Sequence, residues 1–124
     1  MSLDRSAGGP LVRGFTRTGF RIDEETVLPA ALLTVKEARS WSPPVLGDLT
    51  IEALEAVLEE NPEFVLVGTG KLLARPPRGL VTALEARDIG MEAMDSRAAA
   101  RAWGVLRSEG RQIAAALYPI DYTA

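Results

Sequence analysis

The run FVLVGTG, Phe64 to Gly70, decides the fold of this chain. Its apolar part, Phe64 to Val67, is continuous rather than alternating, and its neighbours on both sides read as helices. It therefore takes the place of a central strand covered on both faces. Two glycines bracketing a threonine follow at once. A glycine turn bends a strand sharply and exposes backbone N–H groups. From Phe64 to Leu84 there is no acid, while Lys71, Arg75 and Arg78 supply bases, in a chain of net charge −3. That local reversal of charge beside a glycine turn marks a candidate binding surface.

Upstream, Ile51, Leu54, Val57 and Leu58 fall on one helical face. Thr50 stands at the N-cap, Glu52 in the first turn, Leu49 and Leu54 at hydrophobic-staple positions, and Asn61-Pro62 ends the helix. Downstream, a second helix starts near Pro77, carries Leu80, Val81 and Leu84 inward, and is assigned Gly90 as its C-terminal cap. Met91 to Met94 reads as a short strand. Asp95 or Ser96 then caps a third helix, with Ala99, Trp103 and Leu106 on its buried face and Gly110 closing it. Ile113 to Leu117 is a final buried strand, stopped by Pro119.

The N-terminal part lacks helical period. Phe15 and Phe20 flank a Thr-Arg-Thr-Gly stretch, and Ile22 and Val27-Leu28 flank the polar turn Asp23-Glu24-Glu25-Thr26. These read as antiparallel strands, and Ala31 to Val35 as another. Ser42-Pro43-Pro44 marks a loop. The expectation is a single α/β domain over residues 13–124 with a central mixed sheet. Antiparallel strands come first, then α-β-α-β-α-β, whose strands are parallel with helical crossovers. Residues 1–12 read as a flexible N-terminal tail.

Composition narrows the chemistry. The 124 residues are 47% hydrophobic, enough for one real core. There is no His and no Cys. Ser-His-Asp and Cys-His catalysis are excluded, as are thiolate and imidazole metal ligands and disulfides. An all-carboxylate Mg²⁺ or Ca²⁺ site stays open on composition, but no D-x-D or EF-hand spacing appears, and the expectation is no metal site and no cofactor. No apolar run approaches the ~18 residues that span a bilayer. No stretch has the length of a signal-peptide core, and the cytoplasm is the expected compartment. Net charge −3 and the lack of interleaved aromatics argue against nucleic-acid binding.

Gly68-Thr69-Gly70-Lys71 invites comparison with phosphate loops, since turn amides can cradle an anion and a lysine can neutralise it. The strict motifs fail. A Walker loop needs Gly where this chain has Val65 and a hydroxyl where it has Leu72; the dinucleotide fingerprint needs Gly at Leu73. Two readings stand side by side: an anion cradle, and a turn whose glycines only let the strand bend. In the first, Gly68, Thr69 and Gly70 hold the ligand, Lys71 and Arg78 supply charge, and Asp95 orients it, with Ser96 and Arg101 nearby. In the second, Asp95-Ser96 merely caps a helix and Arg101 faces solvent. Glu59, Glu60 and Glu63 cluster near the end of the first helix, against its dipole, as a hydrated acidic surface or opposite an arginine. Trp103 reads as core. Trp41, beside the Pro-Pro loop, is the better candidate for an exposed contact. Nothing assigns a role to Tyr118 or Tyr122.

Several stretches together resemble a small family known as domain of unknown function 498, which includes the mitochondrial NADH:ubiquinone oxidoreductase (complex I) assembly factor 3. They are GF-x4-F from Gly14 to Phe20, ALL from Ala31 to Leu33, Trp41, FVLVGTG, MDS from Met94 to Ser96, and EGR then AAALYP from Glu109 to Pro119. Their order and spacing cover about Arg13 to Pro119. The resemblance implies a three-layer β/β/α fold, no established enzymatic activity, and, from the mitochondrial members, an assembly role that binds other proteins. The family's helix-three pattern D-T-x-A-A-C-R-T-Y-N is kept at Asp95 and Arg101; Ser96 replaces Thr, Ala100 replaces Cys, Trp103 replaces Tyr and Gly104 replaces Asn. Loss of the Cys and Asn weakens any chemistry built on them. No mitochondrial presequence is read at the start of the chain, and the expectation is a prokaryotic-type member.

The leading expectation is thus a non-catalytic binding or assembly-type protein with an unknown protein partner, self-associating as a homo-oligomer. The alternative is a small anionic or phosphate-bearing ligand at the Gly-Thr-Gly turn. An enzyme using Asp95 as base or Lys71 as nucleophile ranks last, since either needs a burial-shifted pKa.

Overall fold

The computed structural model describes residues 8–124, so the expectation of a flexible tail lies outside the described residues for 1–7. Three short strands, β1 (Gly14–Thr16), β2 (Gly19–Arg21) and β3 (Val27–Leu28), form a small antiparallel sheet. The main sheet has five strands: β4 (Ala31–Leu33), β5 (Ala38–Ser40), β6 (Phe64–Gly68), β7 (Gly90–Met94) and β8 (Ala114–Leu117). Its order is β5-β4-β8-β6-β7. β6 pairs in parallel with β7 and β8, while β4 pairs antiparallel with β5 and β8. The central sheet is therefore mixed, as expected, and β6 lies inside it.

Alternation along the strands sorts the core into two halves. Val65, Val67, Leu32, Ala114 and Ala116 face one side with Leu54, Leu58, Leu80 and Leu84. Leu66, Leu33, Ala115 and Leu117 face the other with Phe20, Ala99 and Trp103. The first side is covered by helices α1 (Glu55–Leu58) and α2 (Arg78–Glu85). The second is covered by the small sheet and by α3 (Ser96–Ser108). This gives the three layers. Small residues in β8 place α3 and the helices of the opposite face close to the sheet on both sides.

Several local expectations change. Ile51–Leu54 is a 3-10 turn, and only Glu55–Leu58 is α-helical. Thr50 makes no side-chain cap; its carbonyl instead accepts from Ala53 N at 3.1 Å, a tight i→i+3 bond. Gly90 is not the cap of α2. It opens β7, and Asp88, with φ 61°, turns the chain. β5 has no separate signal in the sequence and exists through its pairing to β4. The stretch from Gly9 to Val12, read as tail, lies against the domain: Pro10 O accepts from Trp103 Nε1 at 2.9 Å, and Val12 packs on the Phe20 side of the core.

Candidate functional site

The parallel register carries Gly68 of β6 opposite Met94 of β7, so the Gly-Thr-Gly turn and Asp95-Ser96 meet at one end of the sheet. The expected convergence is present. The turn faces inward, however. Gly68, Thr69, Gly70 and Ser96 are all buried. Thr69 N donates to Met94 O at 2.8 Å, Gly70 N to Ser96 Oγ at 2.8 Å, and Lys71 N to Tyr122 O at 2.8 Å. Ser96 Oγ in turn donates to Tyr118 O at 2.7 Å. Ser96 N donates to Gly70 O, and Tyr118 N to Gly68 O, each at 2.8 Å. The amides that an anion cradle would offer are held by the protein's own acceptors.

The glycines have steric reasons of their own. A Cβ on Gly68 would lie 3.0 Å from Ser96 Cα and 2.9 Å from Leu117 Cδ2. Gly70 adopts φ +109°, and a Cβ there would lie 2.2 Å from Tyr122 O. The C-terminal segment thus covers the turn. Two tyrosines anchor it: Tyr118 Oη donates to Pro44 O at 2.8 Å, and Tyr122 Oη accepts from Leu46 N at 2.8 Å. Burial, aided by Tyr122 and Asp48, pushes the Tyr118 phenol above its ordinary pKa of 10.0. Trp41 is not an exposed contact. It is half-buried, edge-on to Tyr118 with ring centroids 5.1 Å apart.

The remaining expected site residues sit outside this knot. Asp95 is half-buried, and its Oδ1 accepts from Ala98 N at 2.9 Å, the N-cap of α3. Lys71, Arg78 and Arg101 are exposed. Among the described residues, none of the ion pairs involves Lys71, Arg75 or Arg78. Of the acidic cluster, Glu63 meets Arg111 at 2.9 Å, and that hydrogen bond holds its carboxyl below the usual value. Glu60 lies 3.6 Å from Lys36.

Beyond Gly70 the chain turns outward. Thr69 Oγ1 donates to Leu72 O at 2.8 Å and accepts from Ala74 N at 3.0 Å, which fixes the base of the loop. On that fixed base Leu72 and Leu73 are 69% and 65% exposed. Leu73, Ala74, Arg75 and Pro76 of the loop, Val81 of α2, and Met91 and Ala93 of β7 line a groove of about 460 Å³. The sequence held this signal in the acid-free run with paired leucines, but their outward placement depends on Thr69.

A mixed sheet layered between a small sheet and helices, with a closed Gly-Thr-Gly turn and two exposed leucines just beyond it, defines a single-domain α/β scaffold. The chain belongs to the family described as protein of unknown function (DUF498/DUF598), whose model matches residues 12–118. An uncharacterised protein of Rhodobacter capsulatus is 34% identical over 92% of this chain and 88% of that protein. NADH dehydrogenase [ubiquinone] 1 alpha subcomplex assembly factor 3 of Danio rerio is 28% identical over 92% of this chain; the match spans 67% of the longer relative. A crystal structure of a Bordetella parapertussis protein superposes with TM-score 0.78 at 30% identity, covering 92% of this chain and 98% of the other.

Proposed function

We propose that this chain is a non-catalytic protein-binding factor of the assembly type, with Leu72 and Leu73 in its contact surface. Relatives named as assembly factors support the class of function. The observation that carries the surface is the pair of adjacent leucines, exposed on a loop whose base is fixed and whose flanks are Lys71, Arg75 and Arg78. Fully burying both leucines in a partner would contribute on the order of 3–6 kcal/mol before ordering costs. The flanking cations favour a partner with an acidic surface. No helix among the described residues is long and apolar enough to cross a membrane. A cytoplasmic site of action belongs to the same proposal.

In-cell crosslinking tests it. The wild-type chain should recover one reproducible protein partner, and Leu72→Ser/Leu73→Ser should lose it while remaining folded. Recovery of no partner, or of the same partner undiminished with the double variant, overturns the proposal. The small-anion alternative draws support from the exposed cations Lys71 and Arg78, and its turn amides would first have to leave Met94, Ser96 and Tyr122. A rise in melting temperature with phosphate compounds, abolished by Lys71→Ala, is the result that would favour it.

A further inference from the structure

β7 is the last strand of the main sheet, and among the described residues no strand pairs with its outer edge. Gly90 N donates to Glu63 O, and Met94 O accepts from Thr69 N, so residues 90, 92 and 94 turn their backbone groups toward β6. By the alternation of a strand, Met91 and Ala93 turn their N–H and C=O groups to the open side. The same two residues line the groove described above, together with Leu73 and Val81. One stretch therefore offers free ladder groups and an apolar groove together. The loop cations Lys71 and Arg75 stand at the Met94 end. The opposite edge of the sheet is different: β5 is three residues long and carries the Glu37–Arg39 ion pair, at 2.9 Å, where its chain enters. That edge is blunted in the usual way.

A second copy of this chain is a poor occupant. The antiparallel register that uses Met91 and Ala93 of both copies pairs Met91 with Ala93 and sets Glu92 directly against Glu92. Like charges facing across a ladder are destabilising. A foreign strand with a basic residue at that place turns the same carboxylate into an attraction.

We propose that the edge of β7 takes up an extended segment of a partner protein as an added strand. Apolar side chains of that segment enter the groove beside Leu73 and Val81, a basic residue faces Glu92, and an acidic residue at its end meets Arg75. This rests on the protein-binding reading above and gives the partner its chemistry: strand addition, with main-chain bonds for affinity and alternate side chains for selection.

The test uses the isotope-labelled chain and short synthetic peptides of alternating Val and Thr, with a central Lys and two Glu at one end. Amide exchange at Met91 and Ala93 should slow on the order of tenfold or more when the peptide binds. A peptide with proline at the positions facing β7 should leave exchange unchanged. Ala93→Pro removes an outward N–H that no neighbour in the sheet uses, and should abolish the response. Arg75→Glu, at an exposed position, should weaken binding by about fivefold and keeps the test alive should the proline variant misfold. Unchanged exchange at both amides with every peptide, or undiminished binding by folded Ala93→Pro, overturns the proposal. So does concentration-dependent protection of those amides in the free chain together with a dimer in sedimentation, because a second copy would then hold the edge. A photocrosslinker placed in cells at Glu92 and at Leu72 separates the two proposals. Capture through Leu72 alone sinks the strand addition and leaves the assembly reading. Capture at neither position, with the peptides still protecting β7, sinks the assembly reading instead.

Discussion

Residues 68–70 and residues 71–75 are consecutive, yet they meet opposite fates. The first three are buried; Thr69 N and Gly70 N donate to Met94 O and Ser96 Oγ, and the carbonyls of Gly68 and Gly70 accept from Tyr118 N and Ser96 N. The next five carry two largely exposed leucines and two cations that join none of the ion pairs among the described residues, on a fixed base. Thr69 joins the regions, since its N–H serves the closed side and its hydroxyl the open side. The contrast separates two meanings of a glycine turn. Here the glycines let helix α3 and the C-terminal segment approach the sheet, and the surface available to another molecule begins only after them.

The most damaging change to the closed side is Gly70→Ala. A Cβ there would meet the Tyr122 carbonyl at 2.2 Å on a backbone at φ +109°. Strain and forced displacement together should cost about 3 kcal/mol or more. Denaturant unfolding measures it. A loss under about 1 kcal/mol would mean that the C-terminal segment leaves easily and that the turn is not closed in solution.

Ser96→Ala comes next. It removes the acceptor of Gly70 N and the donor to Tyr118 O, both buried. Two orphaned backbone groups should cost about 2–3 kcal/mol. Ser96→Thr is the sharper variant, because it restores a hydroxyl while adding a methyl beside Gly68. Recovery of stability by Thr would assign the cost to hydrogen bonding rather than packing.

Much of this contrast is legible in the sequence, and the unread part has physical causes. FVLVGTG shows its strand because an unbroken apolar run needs cover on both faces, and Asp95 shows the start of α3 because a carboxylate there can cap. The burial of Trp41 is hidden because its partner, Tyr118, lies far along the chain. The cover over Gly70 is hidden because it is the backbone carbonyl of Tyr122, and a main-chain contact has no residue signature. Gly90 misleads as a cap because Asp88 takes the left-handed turn instead. An open edge such as that of β7 depends on strand order, which periodicity does not encode.

A smaller effect reports the closed side through pH. Tyr118 has its folded pKa raised by burial above the ordinary 10.0. A group raised in this way contributes its stabilisation fully below the unfolded pKa and loses it as pH rises through the folded one. Stability should therefore fall with increasing pH above about 10. Tyr118→Phe should remove that part of the alkaline slope and cost about 1 kcal/mol at neutral pH, through loss of the bond to Pro44 O. An alkaline limb identical in the two proteins would show that the phenol already meets solvent.

The smallest expected effect belongs to the open side and is the most discriminating. Leu72→Ser/Leu73→Ser alters side chains that are 69% and 65% exposed, while the Thr69 bonds to this loop are made by the main chain at Leu72 and Ala74. Unfolding free energy should stay within about 0.5 kcal/mol of wild type. A clear loss would mean that these leucines pack on the protein's own surface, and the open flank would then belong to the closed core. Unchanged stability combined with loss of partner capture is the pairing that only a contact surface produces, because a residue that holds the fold together cannot lose binding and leave stability untouched.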